Sequence, residues 1–285
     1  MRYYRYPSTG GSRLIVEAVD GTYDLTAVKP DLASFGDLAR VAAVTDAGVD
    51  DVAERLLDRA PEHDGTEGPR APGAEEVWAA GVTYAISEQA RESESGMPEM
   101  YLDVYEAERP EVFFKATPGR TVGPGEAIGV REDSEWNVPE PELGVVLHRG
   151  EIVGFTVGND VSSRDIEGAN PLYLPQAKVY DRCCALGPCV ASPETVGDPH
   201  DLAMSMTITR DGERVFEGST STGEMVRTCE ELVSYYTRHN VVPEHAVLLT
   251  GTSVVPPDEF TLHEGDSVRI EIDSIGVLEN DVVTV

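Results

Sequence analysis

Three acidic residues stand out by their spacing. Glu140 and Glu142 flank Pro141 just before an apolar run, Leu143 to Leu147, and Asp160 follows a second apolar run beyond a probable turn at Arg149-Gly150. Residues two apart in a strand share a face, so Glu140 and Glu142 project side by side. Pro141 cannot donate to a ladder, which puts the pair at a strand's entrance or on an edge. If the turn closes an antiparallel hairpin whose paired residue numbers sum to about 300, Asp160 lies opposite Glu140 and diagonal to Glu142, within reach of a shared ligand. Three anions gathered in an apolar setting repel unless they are protonated or neutralised by a cation. Oxygen-only ligands select a hard ion such as Mg²⁺, Mn²⁺ or Ca²⁺, and the absence of clustered His and Cys argues against Zn²⁺. The competing reading is that Glu140 and Glu142 are simply two of many surface acids.

Lysine is scarce: Lys29, Lys115 and Lys178 are the only three among 22 basic residues. Where a residue type is avoided, a copy that remains invites a functional explanation. Lys178, in Gln176-Ala177-Lys178-Val179-Tyr180-Asp181, is therefore read as a buried or site-facing ammonium that balances the carboxylates, with a plain surface lysine as the alternative. Farther on, Leu248-Leu249 runs into Thr250-Gly251-Thr252, a small polar turn whose backbone N–H and hydroxyl groups can hold a carboxylate. Strand-to-glycine turns are ordinary, so that signal is weak by itself.

The elements that must position these groups are mostly strands. Residues 1–60 read as a small α/β unit, with strands near Arg13 to Ala18 and Gly21 to Leu25, then helical spacing through Leu38, Val41, Ala42 and through Val49, Val52, Ala53, Leu56, Leu57. Residues 61–76, rich in Pro, Gly and acids, read as a linker or exposed loop. From 77 to 285 strand-like runs dominate: Val112 to Lys115, Ala127 to Arg131, Leu143 to His148, Ile152 to Val157, Met204 to Arg210, Val247 to Thr250 and Val268 to Ile272. Asp211-Gly212 signals a type I′ hairpin. Ser221 with Glu224 reads as the capping box of a helix whose stripe is Met225, Cys229, Leu232, Val233 and Tyr236. The fold class is α+β and β-rich.

A formal charge of −30, from 52 acidic and 22 basic residues, excludes a nucleic-acid surface as the default, since phosphate contacts need a basic stripe. Excess carboxylate with little Lys suits a cytosol at molar salt, where the Debye length is about 3 Å. An extreme halophile is the expected source, against the alternative of a basic partner docking on an acidic face. Met1 to Tyr6 lacks the apolar stretch of a secretory signal, and no run of about 18 apolar residues exists to span a membrane, so a cytoplasmic protein is expected. Cys183, Cys184, Cys189 and Cys229 are read as reduced and mostly buried.

The chain resembles the fumarylacetoacetate hydrolase family from about residue 77 to 285. The resemblance is carried by Gly81-Val82-Thr83-Tyr84, Arg109-Pro-Glu-Val-Phe-Phe-Lys115, Glu140-Pro-Glu-Leu143, Gly158-Asn-Asp-Val-Ser162, Lys178, Leu186-Gly-Pro188, Thr250-Gly-Thr252 and Ile275-Gly-Val-Leu-Glu-Asn280. It implies a mixed β-roll catalytic domain beside the small N-terminal domain. It also implies a divalent metal, usually Mg²⁺, held by Glu140, Glu142 and Asp160, and a homodimer or homotetramer. The runs 108–118, 133–143 and 170–176 are most similar to the dehydratases of 2-keto-3-deoxy-D-arabinonate, which implies formation of 2,5-dioxopentanoate in oxidative pentose degradation.

One departure from the broader family agrees with that branch. Hydrolases of this type carry a His three residues after the Tyr of a Gly-x-Asn-Tyr motif; here Ser87 stands there, and Thr83 replaces Asn. Without that His, water attack on a C–C bond lacks its evident base. A 2-keto acid that chelates the metal has acidic C3 protons. Glu111 and Lys178 are the expected acid and base, in either order, and Lys115, Thr250, Gly251 and Thr252 are weaker candidates for holding substrate. Phe113 and Phe114 are expected in the core or pocket wall, and Arg164 with Asp165 as an ion pair. A hydrolase or decarboxylase of acylpyruvate-like substrates and an inactive metal-stapled binding protein are the alternatives.

Overall fold

A computed structural model describes residues 1–63, 65, 68–84 and 107–285. The apolar run after Glu140 forms β9 (Pro141–His148), buried at every position, as expected of a strand covered on both faces. It lies within a ten-stranded mixed sheet of order β3 (Gly21–Asp24), β2 (Gly11–Ala18), β1 (Arg2–Ser8), β12 (Cys184–Ala191), β10 (Glu151–Asp160), β9, β15 (His245–Leu249), β4 (Glu76–Gly81), β5 (Glu111–Ala116). The tenth strand, β6 (Thr121–Val122), runs parallel beside β12. A five-stranded sheet has the order β14 (Glu213–Ser221), β13 (Ala203–Arg210), β16 (Ser267–Ile272), β17 (Gly276–Thr284), β7 (Ile128–Val130), and β11 (Ser162–Ser163) pairs with β8 (Asn137–Val138).

Alternate residues of the central strands feed two cores. Leu143, Val145 and Leu147 pack with Met204, Met206, Ile270 and with Leu232, Val233 and Tyr236 of a helix at Cys229–Thr237. Val146, Val247, Leu186 and Val190 face the other way, against two N-terminal helices. After a single turn, α1 (Leu25–Val28), these are α2 (Phe35–Thr45) and α3 (Val49–Leu57), which contribute Phe35, Leu38, Ala42, Val49, Val52 and Ala53. Three short helices, α4 (Arg164–Ala169), α5 (Leu174–Lys178) and α6 (Pro193–Val196), precede α7 (Cys229–Thr237). The large sheet is thus sandwiched between helices and a second sheet, a β-rich α+β architecture.

The N-terminal strands extend the same sheet rather than forming a separate one: Arg2 pairs with Ala191 and Tyr3 with Val190. The segment read as a linker is tied to them through bridges Tyr23 to Glu62 and Arg5 to Arg70. Strand β1 is missed by periodicity because its tyrosines and arginines alternate without a clean apolar face. Both turns fit their residues: Arg149-Gly150 and Asp211-Gly212 have positive φ at both positions, as type I′ turns require.

The capping signal needs correction. Ser221 accepts from the Gly223 N–H and starts only a 3₁₀ turn, Thr222–Glu224; α7 begins later, with Thr228 accepting from the Glu231 N–H. Thr228-x-x-Glu231 has the same S/T-x-x-E pattern, and it directly precedes the buried stripe. The four cysteines are free and buried. Among the described residues no helix is long and apolar enough to cross a membrane.

Candidate metal centre and active site

The β9–β10 hairpin brings three carboxylates to the end opposite its turn. Pairing starts at Glu151 with His148, a bulge between Ile152 and Gly154 shifts the register by one, and it then holds to Asn159 with Pro141. The Asp160 N–H next donates to the Glu140 carbonyl at 2.9 Å, so Asp160 does lie opposite Glu140. Glu140, Glu142 and Asp160 are all buried, and one oxygen from each lies within 4.8 Å of the others.

Three cations face them from three different elements. Lys178, the last residue of α5, places Nζ 2.6 Å from Glu140 Oε2, 3.2 Å from Asp160 Oδ2 and 2.6 Å from Ser162 Oγ. Lys115 on β5 is fully buried, with Nζ 2.5 Å from Asp160 Oδ1 and donating to the carbonyls of Val161 and Lys178. Arg164, at the start of α4, lies 2.7 Å from Glu140 Oε1 and 3.8 Å from Glu167. The scarcity argument thus finds two of three lysines in the site; the third, Lys29, is an exposed partner of Asp31.

Arg164 corrects the sequence reading, which paired it with Asp165. Neighbours on a helix diverge by about 100° and do not face each other. Asp165 instead accepts from Ser134 Oγ and the Glu135 N–H. The signal for Arg164 was its place four residues after Asp160, where the chain turns from strand into helix.

Strand alternation sorts β5. Glu111, Phe113 and Lys115 share the site face: Lys178 Nζ lies 5.5 Å from the Phe113 ring centre. Phe114 points away and meets Trp78 edge-on. Glu111 leans over Gly81, where a Cβ would fall 2.0 Å from its Oε2, so a side chain at 81 would displace the carboxylate. At the next strand end, the Gly251 N–H donates to Glu142 Oε2 at 2.6 Å, Thr250 Oγ1 donates to the Leu143 carbonyl, and Thr252 Oγ1 accepts from the Val254 N–H. Thr83 Oγ1 donates to the Thr250 carbonyl, tying the Gly81–Tyr84 stretch to this turn. Ser87 lies outside the described residues.

Protonation divides the carboxylates. Burial would raise Glu140, but Lys178 and Arg164 on its two oxygens pull it down to about 2. Burial pushes Glu142 well above the usual carboxylate range, reinforced by Asp160 and Glu140, because no cation contacts it among the described residues. Burial also raises Glu111 to about 7, against the pull of Lys178. Asp160 Oδ1 touches Lys115 but lacks an aligned hydrogen bond. An oxygen-only set containing one carboxylate that no cation contacts directly among the described residues, and one oxygen without an aligned hydrogen bond, fits a hard divalent cation. A buried carboxyl raised to about 7, within the electrostatic reach of the Lys178 ammonium, suits acid–base chemistry.

Histidines do cluster, contrary to the sequence reading, but at the other end of β9. His148 and His245 are cross-strand partners next to Glu244, two strands that are nearly a hundred residues apart in the chain.

Comparison with known proteins agrees with this geometry. The model of the fumarylacetoacetate (FAA) hydrolase C-terminal family matches residues 76–283. The chain is 63% identical to a probable 2-keto-3-deoxyxylonate dehydratase of Haloferax volcanii, over the whole of both chains. It is 47% identical to a 2-dehydro-3-deoxy-D-arabinonate dehydratase of Saccharolobus solfataricus, over 71% of this chain and 70% of the other. The solved structure of a 2-keto-3-deoxy-D-arabinonate dehydratase complexed with magnesium and 2,5-dioxopentanoate superposes with a TM-score of 0.81 at 34% identity, covering 100% of this chain and 99% of that one.

Proposed function

This chain belongs to the fumarylacetoacetate hydrolase family, and from that premise we propose that it is a metal-dependent hydro-lyase that converts a 2-keto-3-deoxypentonate, arabinonate or xylonate, to 2,5-dioxopentanoate and water. The observation that carries the reading is the buried Glu140–Glu142–Asp160 triad with Lys178 lodged against it and Glu111 nearby. Mg²⁺ held by the three carboxylates would supply a Lewis acid to a 2-keto acid; Mn²⁺ or Ca²⁺ suit the same oxygens.

In this reading Glu111, as the carboxylate, accepts a proton from C3. The C4–O bond breaks, and the hydroxyl departs as water with a proton from Lys178. Loss of water leaves a C3=C4 double bond conjugated with the C2 carbonyl. A proton then moves from C5 to C3, giving the C4=C5 enol, which gains a proton at C4 and loses its hydroxyl proton to become the aldehyde. Lys115 acts through Asp160 and Gly251 through Glu142, the carboxylates they hold. Thr250 and Thr252 shape the same turn, and Arg164 holds Glu140 as an anion.

Residues 1–60 serve as a supporting unit with 61–76 as its connection to the catalytic part, and the assembly is a homodimer or homotetramer. The charge of −30 supports a cytoplasmic enzyme of a high-salt cell, working in pentose breakdown. The test is product identification by NMR with 2-keto-3-deoxy-arabinonate, its xylonate epimer and an acylpyruvate. The proposal expects 2,5-dioxopentanoate from at least one pentonate. Faster acylpyruvate cleavage would move the assignment to the hydrolase.

A further inference from the structure

Glu142 and His148 are six residues apart on β9, with their side chains on the same face, so the two ends of that face are roughly 20 Å apart. The carboxylate triad occupies one end. At the other, His148 is buried and sits opposite His245 of β15. Their Nδ1 atoms face each other at 3.4 Å, and Glu244 offers a carboxylate oxygen within 4.8 Å of both. We propose that His148, His245 and Glu244 form a second metal site, for a late first-row divalent ion such as Zn²⁺ or Co²⁺.

The geometry supports this in three ways. Two nitrogens each about 2.0–2.1 Å from a tetrahedral ion must be about 3.3–3.4 Å apart, the separation the two rings already have. At that distance a ring N–H···N hydrogen bond is long, so the pair gains little from facing each other without an ion. The rings are also held in place: His245 lies over Gly36 of α2, where a Cβ would come within 2.6 Å of Nε2, and the sheet register fixes both backbones.

Glu244 is oriented from outside the cluster. Arg40 of α2 binds it through both oxygens at 3.0 and 2.9 Å, and Arg149 at the β9 turn adds a contact at 2.9 Å. Metal ligands are commonly steadied by such outer contacts. Three protein ligands leave a fourth position for water. His245 also lines a cavity of about 590 Å³ with Ser34, Glu75 and Arg70, so one of the three ligands borders open space. Two imidazoles and one carboxylate prefer Zn²⁺, Co²⁺ or Ni²⁺ to Mg²⁺, so the two ends of β9 select different ions. Because Glu244 is bound to α2, an ion here links the N-terminal helices to the central sheet.

The probe is Co²⁺ added to EDTA-stripped protein in a large excess of Mg²⁺, which keeps the carboxylate end filled. One equivalent of Co²⁺ should give the strong visible bands of a nitrogen-ligated tetrahedral ion, and Zn²⁺ should displace it one for one. His245→Gln and Glu244→Gln should each weaken binding by more than the roughly 10–100-fold expected for loss of a merely supporting residue. Glu142→Gln should leave it unchanged. A pale six-coordinate spectrum in the Mg²⁺-filled wild type would overturn the proposal, and that result needs no variant to fold. Tetrahedral Co²⁺ that survives His245→Gln and is lost in Glu142→Gln would also overturn it.

Discussion

Glu142→Gln separates charge from shape at the centre of the triad. The amide keeps an oxygen for the Gly251 N–H, which donates to Glu142 at 2.6 Å, while the negative charge disappears. With oxygens up to 4.8 Å apart and an effective dielectric of about 20, each like-charge contact costs about 3.5 kcal/mol. Glu142 faces two such contacts, from Glu140 and Asp160; Lys178 and partial protonation offset much of that. A net gain of roughly 1–3 kcal/mol for the metal-free variant follows, or about 3–10 °C in Tm for a chain of this size. Mg²⁺ at 100 times its Kd should stabilise the wild type by about 2.7 kcal/mol, roughly 5–10 °C. The variant, without a full ligand set, should show little of that shift. Thermal melts in EDTA and in Mg²⁺ at pH 8 thus predict a crossover: the variant melts higher without metal, and the wild type alone responds to it. A variant that melts lower in EDTA and still gains several degrees from Mg²⁺ would refute the reasoning.

Lys178→Met keeps the stem and removes the charge and proton, and should cost roughly 10²–10⁴-fold in turnover, measured as kcat at saturating metal. Glu111 should impose a limb on the pH–rate profile near 7, with activity rising as its carboxylate forms; Glu111→Gln should abolish the limb along with most activity. The sign for folding is opposite. Its pKa is raised from 4.5 to about 7 by burial, so its stabilising share is complete below 4.5 and lost as pH rises through 7, and Glu111→Gln should flatten that part of the metal-free stability curve. At a charge of −30, the unfolding midpoint should rise as KCl goes from dilute to molar; a flat or falling midpoint would contradict the high-salt reading.

The triad was legible because a hairpin converts sequence spacing into geometry: once the turn at Arg149-Gly150 is placed, residues 140, 142 and 160 have few ways to lie apart. The bulge at Val153 shifted the register by one, toward the arrangement the spacing required. Scarcity pointed to the buried position of Lys178, though the same argument applied to Lys29, which is exposed. Arg164 was not legible, because its partner Glu140 lies 24 positions away and only the start of α4 turns the side chain toward it. The His148–His245 pair escaped for the same reason: β9 and β15 are neighbours in the sheet but share no local pattern. Strand β12, which contains Cys184, Leu186 and Pro188, also hid from periodicity, since both its faces are covered and a proline interrupts it.

The central claim is a metal-dependent elimination that begins with loss of a C3 proton. Its most direct test is NMR of 2-keto-3-deoxypentonate deuterated at C3, incubated with EDTA-stripped and Mg²⁺-restored enzyme in ordinary water. The account predicts 2,5-dioxopentanoate that has lost one deuterium from C3 to solvent, formed at a rate slowed by the isotope and only with metal restored. Product that keeps both deuteriums, turnover indifferent to EDTA, or cleavage of the carbon chain in place of water loss would contradict it.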